Sequence, residues 1–212
     1  MSTPLRFHVR EAETSLGDDQ FVFATFDSAL PYLASIGSYE MWGLIPFTER
    51  DGWTTETSQQ VKDAETYRST GRGDALRIFI VEAELPAEVV EEGGPGSSVG
   101  ILLSADKRHE LQTRTRPEDG RTVLPVCFAF VREDCIPKYI ASQEHLRLED
   151  ADREACLYIE VMVADHRVGS DLRKGCGAVL IQGIKEYGQR TYRRALFVDG
   201  WAGNDKKLIR LV

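Results

Sequence analysis

The 212-residue sequence has no apolar run approaching the roughly 20 residues that a membrane-spanning helix needs. The start of the chain, residues 1–8, also lacks the uninterrupted apolar segment that follows the basic residue of a secretory signal. These two absences predict a cytoplasmic protein with no membrane partner.

Metal-ligand patterns are missing as well. The four cysteines, Cys127, Cys135, Cys156 and Cys176, form no C-x-x-C pair, and no histidine stands near them at the short spacings of zinc sites. We therefore expect reduced thiols and no bound metal.

Positive charge is in short supply, since 26 Lys and Arg face 34 Asp and Glu for a formal net charge of -8. A nucleic-acid surface needs clustered positive charge to neutralise phosphates, so no nucleic-acid partner is expected. The acidic balance is compatible with a cationic substrate, although many acidic proteins carry such charge for solubility alone.

A chain of this length buries one sizeable core and rarely makes two, so a single domain over 1–212 is expected. Alternating or β-branched segments predict strands at 5–10, 75–84, 97–103 and 123–131. Apolar residues at helical spacing predict helices over 21–36 and 57–69. The first helix is expected to start at Asp27 or Ser28 with Pro31 in its first turn. Pro125 suits an edge strand or a strand start, and the aromatic segment 39–54 predicts a structured loop or a broken helix.

The last fifty or so residues have a different order, which predicts a βαβ unit with two parallel strands. The helix of this unit carries Leu180, Ile184 and Tyr187 on one stripe for packing on the sheet. The predicted elements are a strand at 155–164, a helix at 175–189 and a strand at 195–201. The fold class expected is therefore α/β with a mixed sheet.

The turn into that helix is the strongest chemical signal in the sequence. Gly175 and Gly177 let a ligand approach the backbone, and the first N–H groups of a helix have no partner within it. The helix dipole, together with Arg173 and Lys174, adds positive potential at this point. A pyrophosphate is the expected ligand.

Two familiar phosphate sites do not fit this turn. A P-loop needs Lys after the second glycine and then Ser or Thr, whereas Lys174 precedes both glycines. A dinucleotide fingerprint needs a third glycine where Leu180 stands, and it opens an N-terminal βαβ unit.

The order of strand, glycine turn, helix, strand and then Asn204 resembles the GNAT superfamily of N-acetyltransferases, and Trp42-Gly43 is similar to a subgroup that acts on small molecules. The resemblance implies a mostly antiparallel sheet, a parallel βαβ unit at the cofactor site and flanking helices. It also implies acetyl-CoA as co-substrate and a small cationic amine as acceptor, a polyamine or an aminoglycoside-like compound. A CoA-binding module with little turnover and a protein or peptide acetyltransferase are the alternatives.

The resemblance also implies roles for individual residues. Glu160 is the expected general base, since the attacking amine must first lose a proton. Tyr39, Glu40 and Trp42 are expected to line an amine pocket, with cation–π contact from the rings. Cofactor contacts are expected from Val161, Met162, Val163, Arg173, Lys174, Gly175, Cys176, Gly177, Ala178 and Asn204. A nucleophilic Cys176 is less favoured, because the bound pyrophosphate would share its space and no partner histidine is identifiable. A basic His166 is less favoured, because it is expected in a solvated loop.

The sequence departs from the GNAT pattern in three places. Leu172 stands where the superfamily has Arg or Gln, the approach over 165–171 is longer, and Val212 occupies the position of a Tyr that protonates the leaving thiolate. The last two strands of the usual fold are missing, so the chain is expected to be truncated. A shortened sheet exposes an edge, which predicts a homodimer.

Overall fold

The computed structural model describes residues 6–85, 111, 113–143 and 154–206. Its strands are β1 (Phe7–Glu11), β2 (Leu76–Glu84), β3 (Arg114–Thr115), β4 (Thr122–Glu133), β5 (Cys156–Ala164) and β6 (Ala195–Val198). Its helices are α1 (Asp18–Ser35), α2 (Trp53–Thr70), α3 (Lys138–Ala141), α4 (Ser170–Arg173) and α5 (Cys176–Arg190), with a final helical turn at Gly203–Lys206. Short 3-10 turns lie at Thr14–Leu16, Tyr39–Met41 and Phe47–Glu49.

The strands form one mixed sheet in the order β1-β2-β4-β5-β6, with β3 pairing beside β4. The pairs β1–β2, β2–β4, β3–β4 and β4–β5 are antiparallel, and β5–β6 alone among the described strands is parallel. Helix α5 connects the parallel pair, as a parallel connection requires. The predicted α/β class, with a mostly antiparallel sheet and one βαβ unit, is confirmed.

Helix α5 covers one face of the sheet with the stripe expected from the sequence. Leu180 and Ile184 are fully buried and Tyr187 is 7% exposed. They join an aliphatic core that includes Leu124, Val126 and other side chains of the central strands. Burying each large apolar side chain contributes about 1.5–3 kcal/mol, so this stripe fixes α5 on the sheet.

Helices α1 and α2 cover the opposite face with an aromatic core. The ring of Phe26 lies 4.8–5.5 Å from those of Trp42, Phe47, Trp53 and Phe128. Such tilted and edge-on ring pairs add stability beyond the area they bury. The segment 39–54, predicted as a structured loop or a broken helix, is held here by its own aromatic residues.

Helix α1 begins earlier than predicted, and neither Asp27 nor Ser28 is its N-cap. It starts at Asp18, after Gly17 in the left-handed conformation. Asp18 is buried and accepts hydrogen bonds from both terminal nitrogens of Arg10, at 2.5 and 2.8 Å. This ion pair fixes the helix start, and Asp27 instead accepts a 2.5 Å bond from the backbone N–H of Phe47.

Helix α2 also starts before its predicted first residue, at Trp53 instead of Thr57, and Pro31 lies inside α1. Pro125 lies in the central strand β4, which overturns the edge-strand alternative. The register there shifts, because Val81 faces Cys127 and Glu82 faces Pro125. A bulge of this kind accommodates a residue that cannot donate to the ladder.

Two sequence predictions fall outside the described residues, namely the strand at 97–103 and the role of Val212. None of the described helices is both long and apolar enough to cross a bilayer.

Candidate active site

Strand β5 has two halves that differ in their neighbours. Its first residues, Cys156–Ile159, pair with β4 on one side and with β6 on the other. We call them the closed half. Of the following residues, Glu160–Ala164, those from Val161 to Ala164 pair with β4 alone, and no other described strand lies against them. We call them the open half.

A bulge separates the two halves. Phe130 faces Val161 and Val131 faces Ile159, so Glu160 is the extra residue of β5. A bulge re-aims a side chain and increases the local twist of a strand. The side chain of Glu160 is consequently exposed, while Ile159 beside it is 3% exposed. The backbone of Val161, Met162 and Val163 presents N–H and C=O groups to the space that β6 leaves open.

The glycine turn lies at the N-terminus of α5, as predicted. Gly175 is the N-cap and has a φ of 90°, a left-handed conformation that favours glycine. A Cβ atom at Gly177 would meet nothing within 4 Å. Lys174 is exposed and Arg173 half-buried, and the Nε of Arg173 donates to Val168 O at 3.2 Å. The turn therefore combines free helix N–H groups, positive charge and open space.

One cavity of about 790 Å³ joins the open half of β5 to this turn. Its described lining comes mainly from the open half, from Cys176 and Gly177 of α5, and from the facing sides of α1 and α2. The end of β6 and the residues after it, 198–201, also line it, as do Trp42 and its neighbour Met41, Cys127 and Phe130 of β4, Ile159 and His166. The cavity runs along the edge that β6 leaves exposed. Among the predicted site residues, it collects Trp42, Glu160, Val161, Met162, Val163, Cys176 and Gly177.

Glu160 lines the cavity and is held by a cation. The Nε of Arg132 donates to its carboxylate at 2.7 Å, and a terminal nitrogen of the same guanidinium binds Asp74. Arg132 thus bridges two carboxylates, of which Glu160 alone is among the lining residues of the cavity. Because Asp74 shares the arginine, the two acids provide a matched pair for experiment.

Other predicted residues lie away from the cavity wall. Tyr39 and Glu40 are exposed and do not line it, although their neighbour Trp42 does. Asn204 has a left-handed backbone, with a φ of 50°, and its amide nitrogen donates to Ile36 O at 2.5 Å and Ser38 Oγ at 3.0 Å. These bonds tie the end of the described chain to the end of α1.

Asp199 is a site residue that the sequence reasoning missed. It follows β6 directly, lines the cavity, and accepts hydrogen bonds from the hydroxyls of Tyr158 at 2.6 Å and Tyr139 at 2.8 Å. The two hydroxyls are themselves 2.9 Å apart. The sequence could have pointed to Asp199, because it lies near the carboxyl end of a predicted parallel strand and ligands of open α/β sheets bind beyond the carboxyl ends of such strands.

His166 lies at the end of the cavity, just after the open half. Its ring stacks on Tyr32 with centroids 4.0 Å apart, and it is half-buried instead of solvated as the sequence suggested. Burial, reinforced by the charge of Arg173, lowers the pKa of His166 to about 4. The imidazole is therefore neutral at pH 7.

Cys176 contacts a second cysteine across the cavity wall. The thiol of Cys127 hydrogen-bonds to Cys176, which lowers the pKa of Cys176, and the charge of Arg173 adds to this effect. Both side chains are buried. This contact has no local sequence signature, because the two residues are brought together only when α5 packs on β4.

No protein-family model matches the sequence, and a search of curated proteins finds no match either. Among solved structures, the chain is similar to AAC(6')-Iy in complex with the bisubstrate analogue CoA-S-monomethyl-acetylneamine, with 12% identity over 97% of this chain and 88% of that one, at a TM-score of 0.43. It is similar to the aminoglycoside acetyltransferase HMB0005 from an uncultured soil metagenomic sample, with 12% identity over 98% of this chain and 88% of that one, at a TM-score of 0.46. It is also similar to a tetramutant of the BH1408 protein from Bacillus halodurans, with 13% identity over 96% of this chain and 88% of that one, at a TM-score of 0.42.

Proposed function

We propose that this protein is an acetyl-CoA-dependent N-acetyltransferase that acts on the primary amine of a small cationic acceptor. The observation that carries the proposal is the cavity in which the open half of β5 meets the N-terminus of α5. A strand half that pairs on one side alone among the described strands, beside an anion-binding helix start, suits a ligand with an amide-bearing arm and a pyrophosphate. CoA has both.

The cofactor contacts follow from this placement. The backbone of Val161, Met162 and Val163 pairs with the pantetheine arm as an added strand would. The N–H groups of Gly175, Cys176, Gly177 and Ala178 hold the pyrophosphate with help from Arg173. Lys174 contributes through its side chain instead of its backbone, because its N–H donates to Ser170 O at 2.9 Å. Asn204 contacts the cofactor through its amide oxygen, because its amide nitrogen already donates to Ile36 and Ser38.

Glu160 removes a proton from the acceptor ammonium, directly or through water, and the neutral amine then attacks the thioester carbonyl. A C–N bond forms, the C–S bond breaks, and CoA leaves as a thiolate that takes up a proton. Trp42 forms part of the acceptor wall. Tyr39 and Glu40 act farther out, at the mouth of the cavity, where Glu40 attracts a cation.

The test is a calorimetric titration of CoA together with an assay of thiol release from acetyl-CoA against a panel of amines. The proposal expects CoA binding and amine-dependent thiol release. Failure to bind CoA would contradict the proposed pyrophosphate site at the N-terminus of α5, whatever the thiol-release assay shows.

A second candidate is a CoA-binding module with little turnover. It is favoured by the ion pair of Glu160 with Arg132, because the carboxylate proposed as the base is already paired with a cation. Binding without thiol release for any amine would select this candidate. Modification of basic peptides in the same panel would select a protein or peptide acetyltransferase. The homodimer stays a prediction, which sedimentation over a range of protein concentrations would test.

A further inference from the structure

Asp199 is oriented by two tyrosines, yet its charge is not neutralised. Tyr158 donates to one carboxylate oxygen and Tyr139 to the other. A carboxylate offers about four lone-pair sites, so acceptor capacity remains. No Arg or Lys within the described parts of the chain forms an ion pair with Asp199, in contrast to Glu160.

Both tyrosines stay protonated at neutral pH. Burial raises the pKa of Tyr158 far above its usual value, and its bond to Asp199 raises it further. Burial also raises the pKa of Tyr139. The two hydroxyls therefore donate to Asp199, and its carboxylate lines the cavity as an ionised acceptor.

The remainder of the acceptor side of the cavity is aromatic. All three tryptophans of the sequence, Trp42, Trp53 and Trp201, line it, together with Phe26 and Phe130. Such a wall binds an apolar body and attracts a cation over its ring faces. The described lining thus offers one carboxylate without a cationic partner and a broad apolar surface.

We propose that the acceptor is an amphipathic monoamine, with its ammonium at Asp199 and an aromatic or branched apolar body against the tryptophans. The proposed base Glu160 lies next to this position, because Glu160 follows Ile159, Asp199 follows Val198, and Ile159 faces Val198 across the parallel pair. This inference rests on the proposed function and narrows its substrate class. A polyamine or an aminoglycoside has no such apolar body, so it gains less from burial against the tryptophans.

The experiment measures binding, so that it does not depend on turnover. Because every tryptophan lines the cavity, titration of the CoA complex with an amine is followed by tryptophan fluorescence. The probes are phenethylamine, spermidine and an aminoglycoside. Phenethylamine is expected to bind about tenfold more tightly than spermidine or the aminoglycoside, because its phenyl ring buries apolar area against the tryptophans.

The charge requirement is tested with Asp199→Asn, which keeps an acceptor for the tyrosines. It is expected to weaken phenethylamine binding about tenfold while CoA binding stays unchanged. The control is Asp205→Asn, an exposed aspartate of the same segment whose φ of 53° suits asparagine. This variant is expected to bind phenethylamine normally.

Tighter binding of spermidine or the aminoglycoside, or equal binding by wild type and Asp199→Asn, would overturn the inference. Either result leaves the proposed function standing if thiol release is observed. Conversely, if thiol release fails while phenethylamine binds at Asp199 as expected, the reaction is wrong and the assignment of the subsite holds.

Discussion

The closed and open halves of β5 share one strand and one neighbour but meet different surroundings on the other side. In the closed half, β6 completes the ladder, and Leu157 and Ile159 are 1% and 3% exposed. In the open half, no described strand replaces β6, Glu160 is exposed, and Met162 is half-buried. The difference shows how one strand serves both the core and the site.

The division follows from the short length of β6. Because β6 ends at Val198, no strand in the described part of the chain continues beside the open half on that side, and only β4 pairs with it. Backbone groups that a sheet would satisfy are then available to a ligand. We expect substitutions in the closed half to affect stability, and those in or facing the open half to affect chemistry or binding.

The largest expected effect is on catalysis. Glu160→Gln removes the proposed base at the bulge and is expected to lower kcat by about 10²–10⁴-fold, the usual contribution of general acid–base catalysis. CoA affinity should stay the same, since the pantetheine arm contacts the backbone. Thiol release at saturating amine and calorimetry with CoA measure the two quantities.

The control for this variant is Asp74→Asn. Asp74 binds the same guanidinium of Arg132 but does not line the cavity. If the role of Glu160 were only to hold Arg132, both variants would lose activity to a similar degree. We expect Asp74→Asn to keep nearly full activity.

The second prediction concerns the closed half. Leu157 is fully buried, and its side chain lies close to Gly188 of α5, where an added Cβ would stand 3.1 Å away. Leu157→Ala is expected to lower the free energy of unfolding by about 2–5 kcal/mol. Met162→Ala in the open half, being half-buried, should cost less. Urea denaturation of both variants makes the comparison, and equal losses would contradict the division.

The elements that build the site could largely be predicted from the sequence. The strand predicted at 155–164, the glycine turn and the stripe of Leu180, Ile184 and Tyr187 are local patterns, and each was placed correctly. They are predictable because a single element carries all the residues that define its period.

The features that were missed arise between elements. The start of α1 depends on Arg10 from β1, and the tyrosine pair at Asp199 comes from α3 and β5. The bulge at Glu160 is a matter of register between β4 and β5. None of these has a local signature, because the partners are far apart in the chain. Single-sequence patterns therefore located the glycine turn at the start of α5 but not the tyrosine pair that holds Asp199.

The third prediction tests the proposed pyrophosphate site at the N-terminus of α5. Gly177 lies in the first turn of α5 with open space at its Cβ. Gly177→Ala is expected to leave the free energy of unfolding unchanged or raise it by up to about 1 kcal/mol, because alanine favours a helix. The added methyl group would occupy the proposed pyrophosphate site and weaken CoA binding about tenfold. Thermal unfolding and calorimetry check the two effects.

Gly71→Ala is the matched control for this substitution. Gly71 also has open space around its Cβ, but it ends α2 in a left-handed conformation, with a φ of 65°. Alanine there should lower stability by about 1 kcal/mol and leave CoA binding unchanged. A Gly177→Ala protein with normal CoA affinity would place the pyrophosphate elsewhere.

The smallest expected effect is a pH dependence at the end of the open half. The unfolded chain protonates His166 at its ordinary pKa of 6.5, whereas the folded protein does so only at about 4. Between these values the unfolded state binds more protons, so stability falls as pH decreases from about 6.5 to about 4. His166→Phe keeps the stack on Tyr32 but cannot titrate, and its stability should fall less steeply over the same window. Thermal unfolding measured at several pH values compares the two proteins, and parallel curves would show that burial next to Arg173 does not hold the imidazole neutral.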